Sequence, residues 1–163
     1  MRDIAAVPLT REAFAPFGQV IDTEGAHHYA INAGMCERYH DLATIELAGP
    51  AARPLISIFA ARHRTLPYAL DLLERHPLGS QAFYPLSPHP FLVIVAPGDN
   101  GIPGTPRAFI TAPGQGINIA MNIWHGVLTP LIADARFLVV DRGGDGTNLE
   151  EHHLTQPWII HSS

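Results

Sequence analysis

The densest group of reactive side chains lies in the segment Glu74-Arg75-His76-Pro77-Leu78-Gly79-Ser80-Gln81-Ala82-Phe83. Glu74 and His76 are two residues apart, so on an extended strand their side chains leave the same face. Gln81 follows five residues after His76, across a turn that Pro77 and Gly79 favour, and this spacing lets a third polar head approach the other two. A carboxylate and an imidazole held together suit general acid–base work, since imidazole titrates near neutrality. His125, in Trp124-His125-Gly126, is a second imidazole in an apolar context. Spacing alone does not separate these roles from ordinary ones: Glu-x-His followed by Gln recurs by chance. A histidine beside a tryptophan in an apolar strand is commonly a hydrogen-bonded core or rim residue.

All ten basic residues are arginines, and the absence of lysine excludes Schiff-base chemistry and lysine-dependent phosphate loops. Where an anionic substrate is to be held, arginine is the only fully charged candidate, and its planar fork suits a carboxylate. Arg38 and Arg75 are the candidates; for each, the competing expectation is an ion pair with an acidic residue at a strand edge. His40, close to Arg38, is a candidate for orienting a ligand or an opposing subunit. His27, His28, His63, His89, His152 and His153 read as solvated, and Asp141-Arg142 as a pair that pins a strand end.

Positioning these groups requires a scaffold, and the composition points to one built of strands. The 163 residues include 47% hydrophobic and only 15% charged residues, with 14 glycines and 15 prolines, a pattern of short elements joined by tight turns. No repeat, low-complexity stretch or charge block divides the chain, so one domain spanning 1–163 is expected. A short helix is expected after Thr10, with Phe14 and Phe17 on one face and Gly18 as its stop. Eight strands are expected, at Gln19–Asp22, Thr44–Ala48, Leu55–Ala61, Gln81–Leu86, Phe91–Ala96, Arg107–Thr111, Ile117–Met121 and Arg136–Asp141, enough for a closed or nearly closed barrel. From Glu150 onward a peripheral helix or ordered strap is expected.

A net charge of -5 with no basic run leaves no footprint for nucleic acid or an acidic membrane. The longest apolar runs fall short of the ~20 residues that span a bilayer, and Met1-Arg2-Asp3 opens no apolar leader. With Cys36 as the sole cysteine, no internal disulfide can form, in keeping with a cytoplasmic location.

The chain resembles a known family along nearly its whole length, from about Pro8 to Asn148. The segments Glu37-Arg38-Tyr39-His40-Asp41-Leu42, Leu55-Ile56-Ser57-Ile58, Leu73 to Phe83, Arg107-Ala108-Phe109-Ile110, Gln115-Gly116-Ile117-Asn118 and Val140-Asp141-Arg142-Gly143-Gly144 are similar, in order and spacing, to the ureidoglycolate lyases of allantoin breakdown. The resemblance implies an all-β, cupin-like barrel or jelly roll with short peripheral helices, and a homodimer. It implies a carbon–nitrogen lyase of the amidine-lyase type that splits (S)-ureidoglycolate into glyoxylate and urea in purine catabolism. It also implies a divalent metal such as nickel in an assisting, optional role. Cupins place a His-x-His pair, a carboxylate and one late histidine around a metal, and here those slots read Glu74, His76, Gln81 and His125. Two departures stand out: Gly126, where the family carries a second polar residue after the Trp-His pair, and Ala60, where an arginine is frequent and Arg62 or Arg64 would have to substitute. Cleavage requires a base for the substrate hydroxyl, an acid for the departing nitrogen and a clamp for the carboxylate. For that chemistry the residues suggest Glu74, His76 and His125 as catalytic, with Glu74 or His76 as base, Arg38 or Arg75 as the carboxylate clamp, and Gln81 and His40 as further substrate contacts. A non-catalytic cupin that senses glyoxylate or a small hydroxy acid is the competing reading, because one fold serves both.

Overall fold

The structure, a computed structural model, describes residues 2–163. Its elements in chain order are β1 (Asp3–Pro8), α1 (Arg11–Phe14), β2 (Gly18–Ile21), β3 (His28–Ile31), β4 (Cys36–Tyr39), β5 (Arg53–Ala61), β6 (Tyr68–Arg75), β7 (Gln81–Pro85), β8 (Phe91–Ala96), β9 (Gly98–Asp99), β10 (Ile102–Pro103), β11 (Arg107–Ile110), β12 (Gly116–Ile119), β13 (Trp124–His125), β14 (Thr129–Pro130), β15 (Ala135–Gly143) and β16 (Glu150–Ser162). The architecture is β-dominated and cupin-like, as the sequence led us to expect. No helix among the described residues is long and apolar enough to cross a membrane.

The strands form two packed units rather than one eight-stranded barrel. One sheet runs β11-β1-β16-β6-β13-β8-β14, and a further pairing of β11 with β8 closes six of these strands into a barrel. The second sheet runs β2-β12-β7-β15-β5 and packs across the outside of β8 and β11. The run Phe91-Leu92-Val93-Ile94-Val95-Ala96 is continuously apolar because β8 is buried on both faces. Leu92, Ile94 and Ala96 fill the closed barrel together with Ala6, Leu70, Leu73, Ala108, Trp124 and Ile160. Phe91, Val93 and Val95 face the gap between the sheets, against Phe83, Ile117, Ile119, Phe137 and Val139.

The opening helix forms as expected but is one turn long: Thr10 accepts from the Ala13 N–H, and Phe14 and Phe17 are buried. The helix ends at Phe14, before the expected stop at Gly18; Gly18 instead opens β2, where a Cβ would sit 1.9 Å from the Asn118 carbonyl oxygen.

Several elements differ from the sequence expectation. The tail is neither helix nor strap but a thirteen-residue strand, β16, antiparallel to β6 and parallel to β1. Its polar opening, with His152 and His153, conceals the alternation that places Ile160 in the barrel core. Thr44–Ala48 is not a strand: only an isolated bridge joins Leu47 to Gly79. The segment is held instead by side chains, with the Glu46 N–H donating to Ser80 Oγ and the Glu46 carboxylate accepting from the Met121 N–H. β1 and β6 escaped notice because each is short of a clear alternation, and the hairpin of β3 and β4 because it is exposed on nearly all its residues.

If β16 closes the barrel, Ile160→Ala should lower the unfolding free energy by about 2–5 kcal/mol in urea titrations. The exposed Ile132→Ala should change it by no more than about 0.5 kcal/mol.

Candidate functional site

Closure of the six-stranded barrel depends on β13, two residues long, which pairs with β6 on one side and β8 on the other. That pairing sets His125 directly opposite Glu74 and beside Val95, so both side chains face the gap between the two sheets. His76, two residues beyond Glu74, comes to the same face. The His76 and His125 rings lie 5.1 Å apart between centroids. One ligand atom from each of Glu74, His76 and His125 falls within 4.8 Å of the others.

Both imidazoles are oriented by main-chain carbonyls. His76 Nδ1 lies 2.8 Å from the Asn148 carbonyl oxygen, and His125 Nδ1 lies 3.0 Å from that of Gly126. A carbonyl only accepts, so each Nδ1 carries a proton, and in the neutral ring the lone pair is then on Nε2. The two Nε2 atoms are buried and have no protein partner among the described residues. Asn148 is itself fastened, its Oδ1 accepting from the Leu78 N–H at 2.8 Å, and the His76 carbonyl accepts from the Asn122 N–H.

Burial dominates the titration of the group. It holds His125 down to about 4, a tendency that the Gly126 carbonyl opposes and the neighbouring His76 reinforces. Burial also raises the Glu74 carboxyl above its ordinary range; His76 works against that shift and Glu151 with it. The result is a neutral imidazole facing a carboxyl that holds its proton more readily than a surface glutamate.

Three lone pairs directed at one small volume fit a divalent cation. A carbonyl behind each metal-binding imidazole is the usual support for such a ligand. Glu74, His76 and His125 are therefore the residues that could hold one.

Gln81 is placed across the gap, on β7 of the second sheet, 7% exposed. Its Nε2–H donates to Asp141 Oδ2 at 3.1 Å, while its Oε1 is buried without a protein partner. Arg75 is not brought into the group. Alternation along β6 sends it to the opposite face, where its guanidinium stacks 4.5 Å over Trp124 and its Nε–H donates to Glu150 at 2.6 Å. Arg38 and His40 also stay apart from it, gathered around Tyr29 at the exposed β3–β4 hairpin. Arg142 does pin a strand end, donating to the carbonyls of Ala48, Pro50 and Asp145.

Neither departure removes a side chain from the group, and Gly126 meets it only through its carbonyl, which receives the His125 Nδ1–H. A Cβ at Gly126 would approach Ile94 and Leu70 in the closed barrel, and Ala60 is exposed opposite Arg136. Arg64 donates to the Tyr68 hydroxyl, and Arg62 borders a surface cleft with Asp134 and Arg136. The roomiest cleft described, about 400 Å³ around Arg11, Asp22 and Gln115, lies away from the imidazoles. Its arginine is already engaged by Asp22 and by the carbonyls of Val20 and Glu24.

Two residues of the site were not visible in the sequence. Asn148 follows a glycine turn with nothing to mark it as a support for His76. Asp141 meets Gln81 only because β7 and β15 pair in one particular register.

A profile of the family described as Ureidoglycolate lyase matches residues 1–161. A Mesorhizobium japonicum protein named ureidoglycolate lyase is 62% identical over 161 residues, covering 99% of each chain. A Chelativorans sp. protein of the same name is 56% identical, covering 99% of this chain and 98% of its own. One from Rhodobacter capsulatus is 54% identical over 98% of this chain and 99% of its own. With this likeness from end to end, the chain belongs to the ureidoglycolate lyase family.

Proposed function

We propose that the protein cleaves ureidoglycolate to glyoxylate and urea, with Glu74, His76 and His125 as the reacting group. The family membership supports the substrate. The observation that carries the chemistry is the meeting of one carboxylate and two tautomer-fixed imidazoles on the buried face of β6 and β13.

The substrate carbon bears a hydroxyl and a ureido nitrogen, so the reaction moves one proton from oxygen to nitrogen as the C–N bond breaks and C=O forms. A single carboxylate can do both parts: Glu74 takes the hydroxyl proton and returns it to the departing nitrogen. Burial of its carboxyl, which raises its proton affinity, suits a group that must hold a proton between those two events. His76 and His125, fixed through Nδ1, present Nε2 lone pairs that could hold a cation against the substrate oxygens, and the surrounding core excludes water from the aldehyde product. A divalent cation held by Glu74, His76 and His125 would supply positive charge against the substrate carboxylate and Lewis acidity at its hydroxyl. That charge matters because neither Arg38 nor Arg75 joins the group.

The assembly is a homodimer formed through the outer face of the second sheet. β5 is its edge strand, nine residues long, and it presents Ile56, 77% exposed, beside Ile58, with Leu138 and Tyr84 continuing the apolar surface across β15 and β7. Unpaired backbone groups along such an edge suit antiparallel pairing with a second copy of the same strand.

Purified protein given ureidoglycolate should release glyoxylate and urea in equal amounts; binding without release would mark a sensor, and ammonia an amidohydrolase. His76→Ala and Glu74→Gln should each lower kcat by about 10²–10⁴ with the circular dichroism spectrum unchanged. Nickel added to chelator-treated protein should raise its melting temperature, and His125→Ala should remove that response. In the metal-free protein the low affinity of His125 for a proton, below that of the unfolded chain, makes protonation favour unfolding. The unfolding free energy should hold level above about pH 6.5 and fall by on the order of 3 kcal/mol as pH drops to about 4. His125→Gln should flatten that interval. Ile56→Glu combined with Ile58→Glu should halve the mass measured by sedimentation.

A further inference from the structure

Gln81 is 93% removed from solvent, being 7% exposed, yet only half of its amide is used within the chain. Its nitrogen donates to Asp141, and its oxygen, also buried, meets no protein donor among the described residues. A carboxylate oxygen accepts and does not donate, so Asp141 decides which end of the amide faces it and turns Oε1 the other way.

Strand register shows where that oxygen stands. Phe83 pairs with Val139 and Ala82 with Val140; one residue further, Gln81 comes level with Asp141. Gln81 shares the face of Phe83, which lines the gap between the sheets. On the facing sheet the successive gap residues are Phe91, Val93 and Val95, and Phe91 contacts Phe137, the partner of Pro85. Counting from that contact, Phe83 and Val139 stand at the level of Val93, and Gln81 and Asp141 at the level of Val95, which is paired with His125. His76, five residues before Gln81, begins the turn that joins the two sheets at this same end.

The ureido substituent ends in an amino group, a neutral donor that needs an acceptor once it is buried. Glu74, His76 and His125 are committed to the oxygen end of the substrate in the reading given above, on which this inference rests. Gln81 Oε1 is a neutral acceptor at the same level with nothing to accept. We infer that Gln81 Oε1 receives the terminal N–H of the ureido group, and that Asp141 is a positioning residue which keeps the amide oxygen turned toward it. The pair thereby selects a ureido group over an acyl group of the same shape, since a methyl in place of the amino group leaves Oε1 buried without a donor.

Two ligands that lack the hydroxyl, and so are not cleaved, isolate this contact: ureidoacetate, and N-acetylglycine, in which methyl replaces the terminal amino group. Titration calorimetry on the intact protein should show ureidoacetate bound about tenfold more tightly than N-acetylglycine, the value of one hydrogen bond to a buried group. In Gln81→Met the two ligands should bind within about twofold of each other, through weakening of ureidoacetate alone. Asp141→Asn, which frees the amide to turn over, should reduce the preference while leaving N-acetylglycine affinity unchanged, a selectivity that mere loosening of the fold would not produce. Should Gln81→Met fail to show a cooperative unfolding transition, Asp141→Asn decides the matter. A preference that survives both substitutions, or equal weakening of both ligands, overturns the inference. Wild-type protein that cleaves ureidoglycolate without preferring ureidoacetate overturns this inference alone; protein that neither cleaves ureidoglycolate nor binds ureidoacetate overturns the proposed function with it.

Discussion

The pairing of β13 between β6 and β8 is the constraint on which both fold and site depend. Two residues complete the ladder that closes the six-stranded barrel, and they alternate as strand residues must. Trp124 therefore enters the barrel core, and His125 faces the gap between the sheets opposite Glu74. A shift of one residue would exchange them, burying the imidazole among Leu70, Leu73 and Ile94 and leaving the indole where the reacting group now stands. Closure of the barrel and assembly of the site are one event.

The site concentrates an energetic cost that the surrounding core must offset. His76 Nε2, His125 Nε2 and Gln81 Oε1 are all buried and all lack protein donors. Each such atom costs about 1–3 kcal/mol relative to a paired one. Large apolar residues on both sides of β8 hold the sheets together despite this, with Phe91 against Phe137 on the gap side. Supports one layer out prevent relaxation: Asn148 and Gly126 fix the imidazoles, Asp141 fixes the amide, and Arg142 ties the segment near Pro50 to the end of β15. A ligand carrying a cation or N–H donors relieves what the chain leaves unsatisfied.

Much of the framework was legible because its signals are local. Phe91–Ala96 is a continuous apolar run between Pro-containing turns, and it became the central strand buried on both faces. Glu74 and His76 share a face wherever that segment is extended, and it is extended up to Arg75. The tail was misread because local composition is a poor guide where polar residues line a barrel mouth: His152 packs near Trp124, inside the ring of strands. Thr44–Ala48 has strand-like residues, but Glu46 finds better partners in Ser80 and Met121 than a ladder would offer. Arg75 stands next to Glu74 in sequence and on the opposite side of the sheet in space, separated by the alternation that unites Glu74 with His76.

Taken by itself, the order of residues determined the β-dominated class, the small-molecule character of the partner, the absence of lysine chemistry, the family, and the short list containing Glu74, His76, Gln81 and His125. These follow from composition, alternation and turn chemistry, which act over a few residues. Only the tertiary structure decided that the strands divide into a closed barrel and a flanking sheet, that residues 74 and 125 become cross-strand neighbours, and that Gln81 answers to Asp141. Those outcomes depend on register between strands as far apart in the chain as those of Asp3 and Ile159. Register is set by how whole faces pack, a property of the assembled sheets that no short segment contains.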